Sequence, residues 1–216
     1  MSVMGSLRLR LCLCLYPNPN GGNVIPSSTT YNIQWVEPPE TVKFGLKYSM
    51  NNGTSWTAIA NNITGRSYNW TVPKPIANKT ECLIKVMGYN SLEGKVGEDK
   101  SDGTFAIEVI KVTSPNGGEG LETGKKWTIT WRTNGTARPV AKAILSYTEN
   151  GGTTWKPIIT FNNGYPNPGS YSWTVPWAGS IKSKCKMKVV LTDWNGISVG
   201  TDTSDNFFSI INPNPQ

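Results

Sequence analysis

The chain repeats itself, and that limits its possible folds more than any other feature. Tyr31-Asn32-Ile33-Gln34-Trp35 returns as Trp127-Thr128-Ile129-Thr130-Trp131, 96 residues later. Tyr48-Ser49-Met50-Asn51-Asn52-Gly53-Thr54-Ser55-Trp56 returns as Tyr147-Thr148-Glu149-Asn150-Gly151-Gly152-Thr153-Thr154-Trp155, 99 residues later. Three further segments recur 103 residues on. Ser67-Tyr68-Asn69-Trp70-Thr71-Val72-Pro73 returns as Ser170-Tyr171-Ser172-Trp173-Thr174-Val175-Pro176, and the segment from Cys82 to Val86 returns from Cys185 to Val189. Asp99-Lys100-Ser101-Asp102 ahead of Phe105 and Ile107 returns as Asp202-Thr203-Ser204-Asp205 ahead of Phe208 and Ile210. Matches in this order over nearly the whole chain mean a tandem duplication.

Each copy must fold within about 100 residues, and its signals are those of short strands. Tyr31, Ile33 and Trp35 alternate with polar residues, as do Trp127, Ile129 and Trp131. Period-two patterning puts each trio on one inward face. Val42, Phe44, Leu46 and Tyr48 likewise alternate into the first hairpin. Asn-Asn-Gly and Asn-Gly-Gly sit between β-prone residues, and Asn and Gly tolerate the positive φ of tight turns. About seven strands per copy, divided by Gly, Pro and Asn, predict an all-β protein. Its expected fold is two tandem immunoglobulin/fibronectin-III-like β-sandwiches, copy one over 1–107 and copy two over 108–216.

The composition fits material outside the cell: 22 Gly, 15 Pro and only 16% charged residues. No stretch is long and apolar enough to predict a transmembrane helix. The net charge of +7 shows no basic tail, which argues against nucleic acid as a partner. Histidine is absent, which removes the commonest general base and metal ligand. Cys12, Cys14, Cys82 and Cys185 form no zinc-type pair. Cys12 and Cys14 share a strand face and are badly placed to bond each other, which leaves a disulfide from one of them to Cys82 open.

Near the N-terminus Leu7, Leu9, Leu11, Leu13 and Leu15 alternate with Arg8, Arg10, Cys12 and Cys14. A secretion signal needs a continuous apolar core, whereas strict alternation reads as a half-buried strand. A long strand with an open edge templates pairing, so these five leucines form a candidate assembly strand for a like subunit.

Two resemblances add to this. Ser49-x-Asn51-x-Gly53-x-x-Trp56 resembles the Asp-box of sialidase-type repeats, with Asn in place of Asp, and Thr148-x-Asn150-x-Gly152-x-x-Trp155 is a looser match. The Asp-box resemblance implies a structural hairpin and no sialidase activity. Each whole copy, from Asn20-Gly21-Gly22 through the Ile-x-Trp strand to Asp-x-Ser-Asp, resembles bacterial secreted repeats similar to the immunoglobulin-like domain of fungal Ser/Thr-rich cell-wall-assembly proteins. Copy one departs at Asn23, where copy two has Glu119. This second resemblance implies a secreted or cell-surface β-sandwich with no known reaction.

Candidate binding residues are those the copies do not share. Trp35/Trp131, Trp56/Trp155 and Trp70/Trp173 are paired, and Trp127 matches Tyr31, so these aromatics serve the fold. Trp177 and Trp194 have no aromatic counterpart. They flank the Cys185 strand and so belong at opposite ends of the sandwich. Lys182, Lys184, Lys186 and Lys188 occupy alternate positions, which predicts an amine ladder on one sheet face, with Lys142 on the neighbouring strand. Such a ladder suits an acidic polysaccharide or discourages edge pairing.

Asp99, Asp102, Asp202 and Asp205 are the nearest approach to a calcium set. Two or three acids per copy fall short of six to eight oxygens, and turn capping is the simpler role. No cofactor, metal or catalytic set is expected. The expected function is a non-catalytic extracellular or cell-surface module for spacing, adhesion or assembly. Its partners would be other surface proteins, like subunits or polysaccharide. The alternative is a carbohydrate-binding module using the ladder or a spare Trp.

Overall fold

The computed structural model describes residues 19–36, 39–162 and 164–213. Among them every regular element is a strand, and no helix is long and apolar enough to cross a membrane. The expected assembly strand, with Leu7, Leu9, Leu11, Leu13 and Leu15, lies outside the described residues, as do Cys12 and Cys14. The chain forms two compact units. One is dominated by Thr29–Val72 and Lys79–Ile107. The other runs from Glu108 onward and takes in Pro26–Ser28 and Pro73–Asn78.

Copy one contributes β1 (Val24–Pro26), β2 (Thr30–Gln34), β3 (Lys43–Ser49), β4 (Thr57–Ile63), β5 (Ser67–Thr71), β6 (Lys79–Tyr89), β7 (Lys95–Lys100) and β8 (Phe105–Glu108). Its larger sheet has the order β1-β8-β6-β3-β4, with β7 also on β6, and the pair β2-β5 forms the second layer. Copy two contributes β9 (Ile110–Ser114), β10 (Gly120–Glu122), β11 (Lys126–Thr133), β12 (Lys142–Thr148), β13 (Lys156–Phe161), β14 (Ser170–Thr174), β15 (Lys182–Thr192), β16 (Ser198–Thr203) and β17 (Phe208–Ile211). It repeats the pattern as β10-β17-β15-β12-β13 with β16 on β15, opposed by β14-β11-β9. The protein is thus two tandem immunoglobulin/fibronectin-III-like β-sandwiches.

Period-two alternation fills both cores. In copy one Ile33, Trp35, Trp70 and Val72 from the small layer meet Phe44, Leu46, Cys82, Ile84, Val86 and Phe105 from the large sheet. Trp70 meets Phe105 edge-on at 6.4 Å, and Trp35 lies 5.2 Å from Phe44. Copy two packs Ile129, Trp131 and Trp173 against Leu145, Tyr147, Cys185, Met187, Val189 and Phe208. Each fully buried side chain of this size contributes about 1.5–3 kcal/mol. Val42, expected to open the inward face of β3, lies ahead of the strand and is exposed. Val42 N still donates to Tyr89 O at 2.9 Å, but it is Thr41 that is buried there, so the inward alternation of β3 does not extend back to Val42.

The final strand of each copy differs from the simple expectation: it is broken in two. β7 and β8 both pair with β6, and β16 and β17 both pair with β15. At the break Ser101 Oγ accepts from Ile84 N at 3.0 Å, and Ser204 Oγ accepts from Met187 N at 3.1 Å. A hydroxyl occupies the place of a ladder carbonyl, so the strand can step without orphaning the donor.

The loop after each break grips the Asn-Gly-Gly turn. Asn20 Nδ2 donates to Asp102 Oδ2 at 2.7 Å, while Asp102 N donates to Asn20 Oδ1 at 2.9 Å. Asn116 and Asp205 repeat this exchange at 2.9 Å in both directions. The approach is so close that a Cβ on Gly117, at φ +136°, would stand 2.3 Å from Asn206 Cβ. Glu119 adds a brace in copy two only. Its two oxygens accept from Asn116 N and Gly117 N, both at 2.7 Å. That is the consequence of the Asn23/Glu119 difference.

Gly117→Ala is expected to destabilise the second unit by at least about 2 kcal/mol, whereas Gly179→Ala, with nothing within 4 Å of its would-be Cβ, should stay within about 0.5 kcal/mol of the parent. Urea unfolding of the two variants checks this.

Candidate functional site

The two hairpins that carry the Asp-box-like motif hold the same hydrogen-bond network. Ser49 Oγ accepts from Gly53 N at 2.9 Å, and Asn51 Oδ1 accepts from Ser55 N at 2.9 Å. Asn51 Nδ2 donates to Ser55 Oγ at 2.9 Å. In copy two Thr148, Asn150, Gly152 and Thr154 make the same bonds at 2.9–3.2 Å. The turn needs two consecutive residues at positive φ: Asn52 and Gly53, then Gly151 and Gly152. The Ser49 and Asn51 side chains, and those of Thr148 and Asn150, are used locally, so the motif builds a turn.

Of the paired indoles, Trp35, Trp70, Trp131 and Trp173 are buried in the cores, whereas the tryptophan that closes each hairpin is not a core residue. Trp56 and Trp155 are half-buried on the outward face of the large sheet. Lys85 Nζ lies 4.4 Å from the Trp56 ring centroid, and Lys188 Nζ lies 3.9 Å from that of Trp155. Lysine 85 and lysine 188 occupy equivalent places in the repeat, so this cation–π stack is a shared part of the fold. Burial pushes the Lys188 amine below its ordinary pKa.

The predicted ladder is therefore shorter than the spacing suggests. Lys182 leaves it. Lys182 pairs with Ile210 and Cys185 with Phe208, so an extra residue is accommodated between them. Directly opposed residues share a face, and Ile210 faces the core, so the bulge turns Lys182 away from the face of Lys184. Copy one has the same bulge at Lys79 and Cys82. Lys186 Nζ lies 5.2 Å from the Phe207 ring centroid and 3.3 Å from Asp205 O. Lys142 is on the neighbouring strand, as expected, but opposite Thr192. That places it about 13 Å along the sheet from Lys188. Among the described residues, Lys184 and Lys142 are the exposed members of the set with no cation–π contact.

The calcium candidates are engaged otherwise. Asp102 and Asp205 grip Asn20 and Asn116, and Lys111 Nζ lies 2.5 and 2.6 Å from the two Asp205 oxygens. Asp202 Oδ2 accepts from Val112 N at 2.7 Å. Asp99 is not without a partner. Among the described residues no group of three or more His, Cys, Asp or Glu is placed to hold a metal ion. Cys82 and Cys185 are buried free thiols, each pushed up to about 11 by burial. Neither is a ready nucleophile at neutral pH.

The two unmatched indoles do stand free. Trp177 is 70% exposed between β14 and β15, and Trp194 is 74% exposed between β15 and β16. The turn under Trp194 is tightly built. Asp193 Oδ1 accepts from Asn195 N at 3.0 Å and Ile197 N at 2.9 Å, and Asp193 Oδ2 binds Arg138 Nε at 2.6 Å. Copy one makes the same turn with Asn90, whose Oδ1 accepts from Leu92 N and Gly94 N. There the exposed tip is Leu92. The Arg138 brace belongs to copy two, and sequence alone held no sign of it, because the partners are 55 residues apart.

No protein-family model matches the chain, and no curated protein matches it. Among solved structures it is similar to the fibronectin(III)-like modules of Clostridium thermocellum CbhA, at 14% identity and a TM-score of 0.33 over 90% of each chain. It is also similar to the FN1–FN3 domains of chicken CNTN1, at 14% identity and a TM-score of 0.30, over 86% of this chain and 63% of that one. The titin domains z1z2, solved in complex with telethonin, match at 11% identity and a TM-score of 0.27, over 91% and 95%. None of these proteins' functions transfers at such identities.

Two outcomes test the hairpin and the clip. Asn51→Ala removes the acceptor of the Ser55 amide and should cost about 1 kcal/mol, whereas Asn51→Asp keeps that acceptor and should lose less than half as much, by urea unfolding. For pH, the Lys111 amine holds the Asp205 carboxyl below its ordinary range, while burial pushes Asp202 above it. The stability contributed by Asp205 is present above the usual aspartate pKa and is lost as pH falls through the lower folded value. Asp202, easier to protonate when folded, acts in the opposite sense. Asp205→Asn should therefore flatten the acid loss of the second unit's unfolding midpoint, and an unchanged pH profile would refute the assignment.

Proposed function

We propose that the protein is a non-catalytic module of the cell surface or extracellular space, made of two sandwiches, 1–107 and 108–216, that spaces or joins other surface components. One observation carries this. The recurring polar and aromatic residues, namely the hairpin network, the Asn–Asp clip and the lysine-capped indoles, are all engaged in building the scaffold. What remains for contact is exposed and unshared. Trp194, on its Asp193-braced turn, is the contact residue of this module, because a pre-ordered indole loses little conformational entropy on binding. Trp177 is a second anchor at the other end of β15. The secreted-repeat resemblance fits the same assignment, with other surface proteins, like subunits or polysaccharide as partners. The Lys ladder contributes less, since Lys186 and Lys188 already lie over aromatic rings.

Retention of the full chain on immobilised cell-surface protein and on insoluble cell-wall polysaccharide tests the assignment. Retention without release of soluble product is expected, with Trp194→Ala weakening it by about 2 kcal/mol. Turnover of either material would overturn the non-catalytic assignment. Full retention by both Trp194→Ala and Trp177→Ala would remove the indoles from the contact.

A further inference from the structure

The register of the first sandwich assembles a basic row that the sequence hides, because its members lie on three separate strands. Lys47 on β3 is directly opposite Lys85 on β6, and Lys85 is directly opposite Lys100 on β7. Opposed residues share a face, and these face outward, away from Ile84 and Val86 in the core. Adjacent strands lie about 4.8 Å apart, so the amines span roughly 10 Å in a line across the sheet. Like charges directly opposite one another destabilise a sheet. Among the described residues, none of the three lysines is in a salt bridge. Glu98 is a counter-charge on this side: its hydrogen bond from Lys95, at 2.5 Å, and then the charges of Lys85 and Lys47 hold its carboxyl below the ordinary range. Glu81 lies one turn of the pleat beyond Leu83, about 13 Å from Lys85 along β6.

The fold does not demand this row. The equivalent positions in copy two are Ser146, Lys188 and Thr203, again directly opposed across three strands. Only the lysine that caps the indole is common to both. Lys47 and Lys100 are therefore additions that repel Lys85, on a scaffold that folds with Ser and Thr in their places. Beside them is a shallow polar depression of about 260 Å³ lined by Lys85, Glu98, Asp99 and Lys100.

We propose that the outward face of β3, β6 and β7 binds an acidic polysaccharide, with Lys47 and Lys100 each meeting a carboxylate of the chain on either side of Lys85, which Trp56 holds in place. Lys47 and Lys100 lie two strands, roughly 10 Å, apart, so they meet carboxylates of non-adjacent sugars, which in an extended chain point to the same side. The same face is poorly suited to single-stranded nucleic acid, which uses free aromatic platforms. Trp56 has Lys85 over its ring and Gly53 at its edge. It also lacks the exposed apolar anchor of a protein-binding hot spot, since Leu83 and Met87 are buried. The row belongs to copy one and the Trp194 tip to copy two, so each can be tested by its own variants.

Affinity electrophoresis of the full chain through gels containing polygalacturonate tests the proposal. The parent protein should be retarded, and less so as salt is raised. The double variant Lys47→Gln/Lys100→Gln should lose affinity about tenfold, while its first unit melts a few degrees higher because the repulsion is relieved. Lys125→Gln/Lys126→Gln, which removes the same charge from the exposed surface of copy two, should retain binding. The proposal is overturned by an unretarded parent, or by equal losses in the two lysine double variants. Retardation by polyglutamate or single-stranded DNA as strong as by polygalacturonate would also overturn it.

Discussion

Each sandwich hangs on one long central strand whose two faces are held in different environments. β6 and β15 have eleven residues each, and every other strand of the larger sheet pairs with them or with one of their partners. Cys82, Ile84 and Val86, and then Cys185, Met187 and Val189, seal one face in the core. Because the period of a strand is two, burying that set forces the intervening residues outward. Lys85 and Lys188 have no other place to go, and the hairpin indole beside each gives the amine a surface to rest on. The bulge near the start of each central strand shifts Lys79 and Lys182 out of line with the rest, and a second register shift follows near each end, at Gly88/Tyr89 and Leu191/Thr192.

The duplication separates what the scaffold needs from what each copy adds. A serine or threonine oxygen, an Asn amide and a glycine at positive φ recur in both hairpins, since the turn cannot close without them. The reciprocal Asn–Asp exchange recurs because it ties the Asn-Gly-Gly turn to the loop of the broken last strand. Against this common frame the differences are few and lie at the surface. They include Glu119 bracing its own turn, Arg138 bracing Asp193, the two free indoles of copy two, and the cross-strand lysines of copy one. Trp131 Nε1 finds Asn167 Oδ1 at 2.7 Å, while Trp35 Nε1 is buried without a partner. The longer connection between β13 and β14 supplies an amide that the three residues between β4 and β5 do not.

Much of the architecture could be read from spacing alone. Alternation identified the inward faces of β2, β11, β6 and β15, and the Asn-Gly turns located the hairpins. The exposed, unshared Trp177 and Trp194 were also visible as residues without a match. The ladder was only partly visible, because alternation within one strand says nothing of a bulge set by the neighbouring strand. The Lys47–Lys85–Lys100 row was invisible, since three lysines 15 and 38 residues apart become neighbours only through register. The acidic residues were legible as turn caps but their partners were not, because the amide that Asp102 or Asp205 holds lies 82 or 89 residues away.

By itself the sequence determined the duplication, the all-β class, the hairpin turns and most of the inward face of the strands it identified, because these follow from local periodicity and from the φ tolerance of Asn and Gly. Tertiary structure decided which strands lie side by side and in what register. It therefore decided which charges oppose one another, which indoles are capped by an amine and which stand free. Those are long-range pairings, and a linear pattern carries no information about the residue that will lie across the sheet.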